Sequence, residues 1–141
     1  MRDELENKLA EDFEFMKARN VWTGELCYDE DNNTYGFPCE CSDGWYNLIH
    51  DLCQEITDFY NSKGEDASKI AMHQIKEKFG GLRFYTGGML NDAFEIINKY
   101  EAKSFKTCEV CGDDGNLCIN GSWYRTLCEK HRKEYHYKVC K

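Results

Sequence analysis

Cys108, Cys111, Cys128 and His131 stand in two pairs, with two residues inside each pair. Thiolates and imidazoles are the ligands that a zinc ion gathers into a tetrahedron, and two such pairs supply all four. In the first pair, two intervening residues let a tight turn aim both thiolates at one ion. Gly112, directly after Cys111, suits the positive φ that such a knuckle needs. The second pair opens a polar, helix-compatible run from Glu129 to Glu134, and its spacing puts Cys128 and His131 on one helical face. The expected cofactor is one Zn²⁺ in a structural role, because four protein ligands leave no open position for water or substrate.

A knuckle followed by a helix that carries the second ligand pair resembles a treble-clef or zinc-ribbon finger. The rest of the chain must position it. With 141 residues, 41% of them apolar, the sequence can build a core without disulfides. The expected arrangement is an α+β body over residues 1–104, with the finger over 105–141 packed on it as one compact unit. Leu5, Leu9, Phe13 and Met16 recur at helical spacing and predict an amphipathic helix over residues 3–19. Asp29 to Asn33 reads as a loop; it lacks the ligand spacing and central glycine of a calcium loop. Thr34 to Phe37 reads as a short strand.

The strongest helix signal starts at Trp45 and runs to about Lys63, with Ser42 and Asp43 as candidate N-caps. Its stripe of Trp45, Leu48, Leu52, Ile56 and Phe59 is predicted to be buried, with Cys53 as a small core residue. Residues 69–86 read as a β-hairpin turning at Gly80-Gly81. Alternation puts Ala71, His73, Ile75, Glu77 and Phe79 on one face of its first strand; in the second, Leu82 and Phe84 share one face and Arg83 and Tyr85 the other. A further helix over residues 91–104 buries Ala93, Phe94, Ile97 and Tyr100. The last helix is predicted to include Lys130 to Lys138. The fold class is therefore α+β, with helices on a β-hairpin or small antiparallel sheet.

Nine cysteines, with a charged N-terminal stretch in place of an apolar leader, suggest a reducing, cytoplasmic setting. Cys39 and Cys41, together with Cys27 or Cys53, are weaker candidates for a second metal site. His50 and His73 have no ligand-spaced partner. The net charge of −8 argues against general affinity for phosphate backbones. Arg125, Lys130, Arg132, Lys133 and Lys138 nevertheless form a basic cluster in the finger, with Trp123 and Tyr124 nearby for stacking, so nucleic-acid binding is one alternative. No nucleophile–base pair is visible, and His136 is the only spare histidine near the finger, so the chain is not read as an enzyme.

Three segments carry a resemblance. They are Cys41 to Cys53, with the pattern Cys-x-Asp-Gly-Trp-Tyr-x-Leu-Ile-x-x-Leu-Cys; Lys76 to Tyr85, reading Lys-Glu-Lys-Phe-Gly-Gly-Leu-Arg-Phe-Tyr; and the finger from Cys108 to His131. In these blocks the chain resembles a family of small proteins from bacteria and their phages. The resemblance implies a bound zinc and a bacterial or phage-infected cytoplasm, and supplies no substrate. Together with the closed metal site it points to a non-catalytic protein that binds another protein, either bacterial or host. The implied form is a phage-encoded inhibitor of a host defence system, of the anti-CRISPR kind. Arg83, Tyr85, Trp123 and Tyr124 are the candidate contact residues, as exposed Arg and aromatic side chains make good anchors. A second alternative is sequestration of a nucleotide messenger, with Gly80-Gly81 and Gly87-Gly88 admitting phosphate, Arg83 supplying charge and Tyr85 a stacking face.

Overall fold

The computed structural model describes residues 1–141. Helix α1 spans Asp3–Asp12, α2 Tyr46–Ser62, α3 Phe94–Ser104 and α4 Glu129–Glu134. One sheet has the order β1-β2-β3, from Cys39–Glu40, Ala71–Lys78 and Gly81–Gly87; a second has the order β5-β4-β6, from Trp123–Leu127, Asn116–Asn120 and Lys138–Val139. The class is α+β. No helix is long and apolar enough to cross a membrane.

Helix α2 is the centre of the body. Leu48, Ile49, Leu52, Cys53, Ile56 and Tyr60 form its buried stripe, and Trp45 before it is fully enclosed. They meet Ile75, Leu82 and Phe84 of the β2–β3 hairpin, Ala93 just before α3, and Ile97 and Tyr100 of α3 in one core. Phe59, expected in that stripe, is only partly buried, and Tyr60 takes the place beside it. Tyr60 also has a polar task, since its hydroxyl accepts the Leu90 N–H at 2.8 Å.

The N-terminal helix is shorter than its periodicity suggests. It stops at Asp12, Phe13 is extended, and Glu14–Met16 make a single 3₁₀ turn. A continuous helix would have buried Phe13 and Met16 but left Phe15 outside. Breaking it buries Phe13, Phe15 and Met16 together. Residues 17–36 then form irregular chain tied by isolated bridges at Lys17–Gly36, Arg19–Leu26 and Tyr28–Thr34, in place of the strand expected at residues 34–37. Neither Ser42 nor Asp43 caps α2 with its side chain. The Asp43 carboxylate faces α1 instead, accepting the Arg2 N–H at 2.8 Å and pairing with the Arg2 guanidinium at 2.7 Å.

The hairpin is present, but its two-residue turn is Phe79-Gly80 rather than Gly80-Gly81, since Gly81 already pairs with Lys78 as the first residue of β3. Its first strand departs from simple alternation. A register shift between Met72 and Gln74 turns Met72 toward the core with Ile75 and leaves His73 exposed. Phe79 lies in the turn, 66% exposed, rather than on the strand face with Ile75. The short strand β1, which the sequence reading did not contain, adds to β2 in parallel through Cys39–Ile75 and Glu40–Lys76. The other edge, β3, is closed by α3. The Ser104 hydroxyl accepts the Leu82 N–H at 2.9 Å, and Glu101 accepts the Phe84 N–H at 3.1 Å. Side chains of a helix thus satisfy donors that an open edge would offer to another chain.

Helix α3 and the 3₁₀ turn that leads into it bury Ala93, Ile97, Tyr100 and Ser104, spaced four, three and four apart. Phe94 is one residue off this stripe, about 100° around the helix, and is 42% exposed rather than buried. The last helix also ends early. After Glu134 the chain turns at His136, with φ of +61°, and returns as β6 on the free edge of β4. That return packs Tyr137 against the small core of the finger and gives the Leu117 carbonyl a donor in the Cys140 N–H.

Body and finger meet at the turn that starts α2. The Trp45 indole N–H donates to the Thr107 carbonyl at 2.9 Å, one residue before the first metal ligand. Trp45→Phe leaves that carbonyl without a partner and opens a gap where the larger, fully buried indole stood, so we expect a loss of about 2–4 kcal/mol. Urea denaturation followed by far-ultraviolet circular dichroism measures it.

Candidate metal centre

The finger is built in the order its ligands need. Cys108 to Gly112 form the knuckle, β4 and β5 form a hairpin with pairing from Asn116–Leu127 to Asn120–Trp123, and α4 follows directly. Cys128 is the N-cap residue of α4 and His131 lies in its first turn. Gly112 has φ of +84°, as the knuckle requires. Cys108 N–H bonds to the Asp113 carbonyl and Gly112 N–H to the Cys108 carbonyl, which closes the knuckle. Knuckle, hairpin and ligand-bearing helix follow in the order expected of a treble-clef or zinc-ribbon finger.

The four ligand atoms lie within 4.8 Å of one another. Cys111 Sγ is 3.8 Å from Cys128 Sγ, and His131 Nδ1 is 3.6 Å from Cys108 Sγ and 3.2 Å from Cys128 Sγ. Bond lengths of about 2.3 Å to sulfur and about 2.0–2.1 Å to nitrogen give tetrahedral edges of about 3.8 Å between sulfurs and about 3.6 Å from sulfur to nitrogen. The Cys111–Cys128 and Cys108–His131 separations match those edges, and the Cys128–His131 pair is about 0.4 Å closer than its edge. The donor set of three thiolates and one imidazole fits zinc, and it closes the coordination sphere.

The surroundings support the charge that the ligands must carry. Burial works against the Cys108 thiolate, but N–H groups of Cys128, Cys111 and Val110 point at its sulfur and bring its pKa down to about 7. Without a cation, burial and the neighbouring thiols push Cys111 up to about 12. A divalent ion removes that conflict between crowded sulfurs. Glu134 lies on the far side of His131, 4.0 Å from Nε2, and the Tyr135 ring stacks on the imidazole. The Arg125 guanidinium sits 5.3 Å over Tyr135.

Arg125 also links the centre to the body. It pairs with the buried Glu109 at 3.4 Å and reaches the Ser42 hydroxyl at 3.5 Å. Glu109 lies inside the knuckle, and its carboxylate accepts the Ser42 N–H at 2.9 Å while its carbonyl accepts the Gly44 N–H at 2.7 Å. Across the hairpin tip, the Thr126 hydroxyl donates to the Gly80 carbonyl at 2.7 Å. Sequence reading missed Glu109, Ser42 and Thr126 as residues that seat the finger. A glutamate between two ligand cysteines was the one available signal.

No second quartet forms. Cys39 and Cys53 are enclosed in the body core, the Cys39 thiol facing the Phe37 carbonyl at 3.7 Å. Burial raises the pKa of Cys39, Cys41 and Cys53, with Cys41 at about 12, so they persist as neutral thiols. His50 pairs with Asp12 at 2.9 Å. The group of Cys108, Cys111, Cys128 and His131 is the one set of three or more such ligands that converges.

The predicted contact residues fall on two adjoining surfaces. Trp123, 75% exposed, and Tyr124 share a groove of about 200 Å³ with Glu77, Phe79 and Ser122. Arg83 and Tyr85 lie on the outer face of the β2–β3 hairpin, where Arg83 is opposite Lys76 and the Lys76 ammonium lies 6.0 Å from the Tyr85 ring. Of the basic cluster in the finger, Arg125 is held by Glu109, Lys133 pairs with Glu129 at 2.9 Å, and Arg132 faces the Tyr137 carbonyl at 3.4 Å. Compared with protein-family models, with curated proteins and with solved structures, the chain matches none of them.

Proposed function

We propose that the protein is a non-catalytic binding protein whose zinc holds a recognition surface in shape, and that its partner is another protein. One observation carries this reading. The closed quartet rigidly fixes a finger whose hairpin tip stands beside the hairpin tip of the body, so exposed Phe79, Trp123 and Tyr124 converge from two parts of the chain. Exposed aromatics on a preorganised support lose little entropy on binding and make good anchors. The finer form, a phage-encoded inhibitor acting on a host defence protein in the cytoplasm, draws its support from the resemblance described above. Affinity purification of the zinc-loaded protein from bacterial cells, followed by native mass spectrometry, tests the reading. One zinc and a stoichiometric second protein are expected. Isolation of the protein alone at every salt concentration overturns it.

A second reading has its own observation. A cavity of about 520 Å³ lies between residues 15–37 and the start of β2, lined by Phe15, Phe37, Ile70 and Met72 with Lys17 and Arg19 at its rim. Its size and apolar lining suit a small ligand such as a nucleotide. It lies away from Gly80-Gly81, Arg83 and Tyr85, and Glu14 already pairs with both Lys17 and Arg19. A shift in melting temperature with cyclic nucleotides supports this reading, and an unchanged melting temperature removes it.

A further inference from the structure

The β2–β3 hairpin carries two features that cost stability, the residue at the first position of its turn and a like-charge cross-strand pair. The first is its turn. Lys78 pairs with Gly81, so Phe79-Gly80 is a two-residue loop, and both residues have positive φ, +53° and +87°. That is the type I′ geometry, which favours Asn-Gly and penalises a bulky side chain at its first position. Phe79 gains little burial in return, with two thirds of its surface exposed and the Lys78 ammonium 5.7 Å from its ring centre. The second feature is the cross-strand pair of Lys76 and Arg83, like charges directly opposite each other. Neither has an ion-pair partner, nor has Lys78. The two carboxylates nearest in the sheet are engaged elsewhere: Glu40 accepts from the Gln74 amide at 3.4 Å, and Glu77 from the Gly80 N–H at 2.7 Å.

These cations are also segregated. Residues 67–91 and 116–128, the two hairpins with their flanks, hold five basic residues, Lys69, Lys76, Lys78, Arg83 and Arg125, against one acid, Glu77. That is +4 in a chain of −8, so all other residues together carry −12. An exposed, strained aromatic beside unpaired cations is a site awaiting an anionic partner with an apolar group.

We propose that Lys76, Lys78 and Arg83, with Phe79 and Trp123, dock an acidic segment of a partner protein that carries one bulky apolar side chain. The side chain enters the groove between Phe79 and Trp123, and two or three flanking carboxylates meet the cations of the hairpin face. Two observations favour such a segment over a nucleic acid. The groove, at about 200 Å³, holds one side chain rather than a run of stacked bases. A polyphosphate also meets the −8 charge of the chain at every nucleotide, while a short acidic segment brings only a few charges.

This inference rests on the protein-binding reading and specifies its contact. The test uses the intact zinc-loaded protein and a fluorescein-labelled peptide of eight residues, one phenylalanine flanked by glutamates, followed by anisotropy at low salt. Its glutamine counterpart and a dT12 oligonucleotide are the controls. Phe79→Asn installs the favoured turn residue, and Arg83→Glu creates an opposite-charge pair with Lys76. Both variants are expected to melt at or above the wild-type temperature, yet to bind the acidic peptide about 30-fold or more weakly. A stabilised fold that loses binding is an outcome that a structural role for these residues does not produce. Tighter binding of dT12 than of the peptide overturns the proposal, as does equal binding by wild type and both variants, or no binding of the peptide at all. If a partner isolated from cells stays bound to Phe79→Asn and Arg83→Glu, the docking site falls while the protein-binding reading stands. If no partner is found, that reading falls as well.

Discussion

Cys111→Ser is expected to release the zinc and unfold residues 105–141 while the body stays folded. Cys111 is the exposed member of the quartet, so serine in its place disturbs little packing, and the effect isolates the metal bond. Within the finger itself little else holds the chain together. Its own core is Cys108, Cys118, Leu127 and Cys128, and two of those four are ligands. So small a core does not offset the entropy of ordering the segment without metal. Structural zinc in comparable fingers contributes apparent binding free energies of about 10–16 kcal/mol. Loss of one of the four ligands should therefore weaken zinc binding by more than the ~10–100-fold that a change behind the ligands costs. Metal analysis of the purified variant, with hydrogen-exchange mass spectrometry across the finger, measures both effects. Excess chelator on the wild-type protein should give the same exchange pattern, with α2 and the β2–β3 hairpin still protected. A chelated protein whose finger remains protected would show that the metal is dispensable for the fold.

Gly44→Ala should break the seam between body and finger without touching a ligand. A methyl group at Gly44 falls 2.4 Å from the Glu109 carbonyl oxygen, 2.5 Å from that of Cys108 and 2.6 Å from the Cys111 nitrogen. All three are backbone atoms of the knuckle, so no side chain can swing aside. The knuckle must open or the turn before α2 must lift, and lifting it pulls Trp45 from the Thr107 carbonyl. The φ at Gly44 is not in the left-handed region, so alanine meets no intrinsic backbone penalty there and the cost is steric. Such overpacking is expected to cost about 3 kcal/mol or more. For a chain of this length that lowers the melting temperature by about 10 °C. Differential scanning calorimetry with and without added zinc reads the change. A variant melting within about 2 °C of wild type would mean that body and finger are not seated against each other in solution.

The two predictions probe opposite sides of one joint, and the joint is where the sequence was least legible. Cys108, Cys111, Cys128 and His131 could be read directly because ligand chemistry demands particular residue types at short, fixed spacings. The α2 stripe and the hairpin were legible for a similar reason, since burying one face of a helix or strand imposes a local period. Where two local demands competed, periodicity misled. Phe15 could be buried only by ending α1 early, and Phe94 missed the α3 stripe by a single residue. The final strand β6 gave no local signal, because its reason for existing is the free edge of β4, set by chain far from it in sequence.

Ligand spacing and hydrophobic period thus determined which residues meet a metal and which helices and strands form, both being properties of a few neighbouring residues. Tertiary structure alone decided that Gly44 lies under the knuckle, that Glu109 and Thr126 fasten the finger to the body, and that Phe79 and Trp123 share one groove. Each of these depends on contacts between segments tens of residues apart. A pair of distant atoms leaves no period or motif in the chain; only the folded packing brings their sterics and hydrogen bonds to bear.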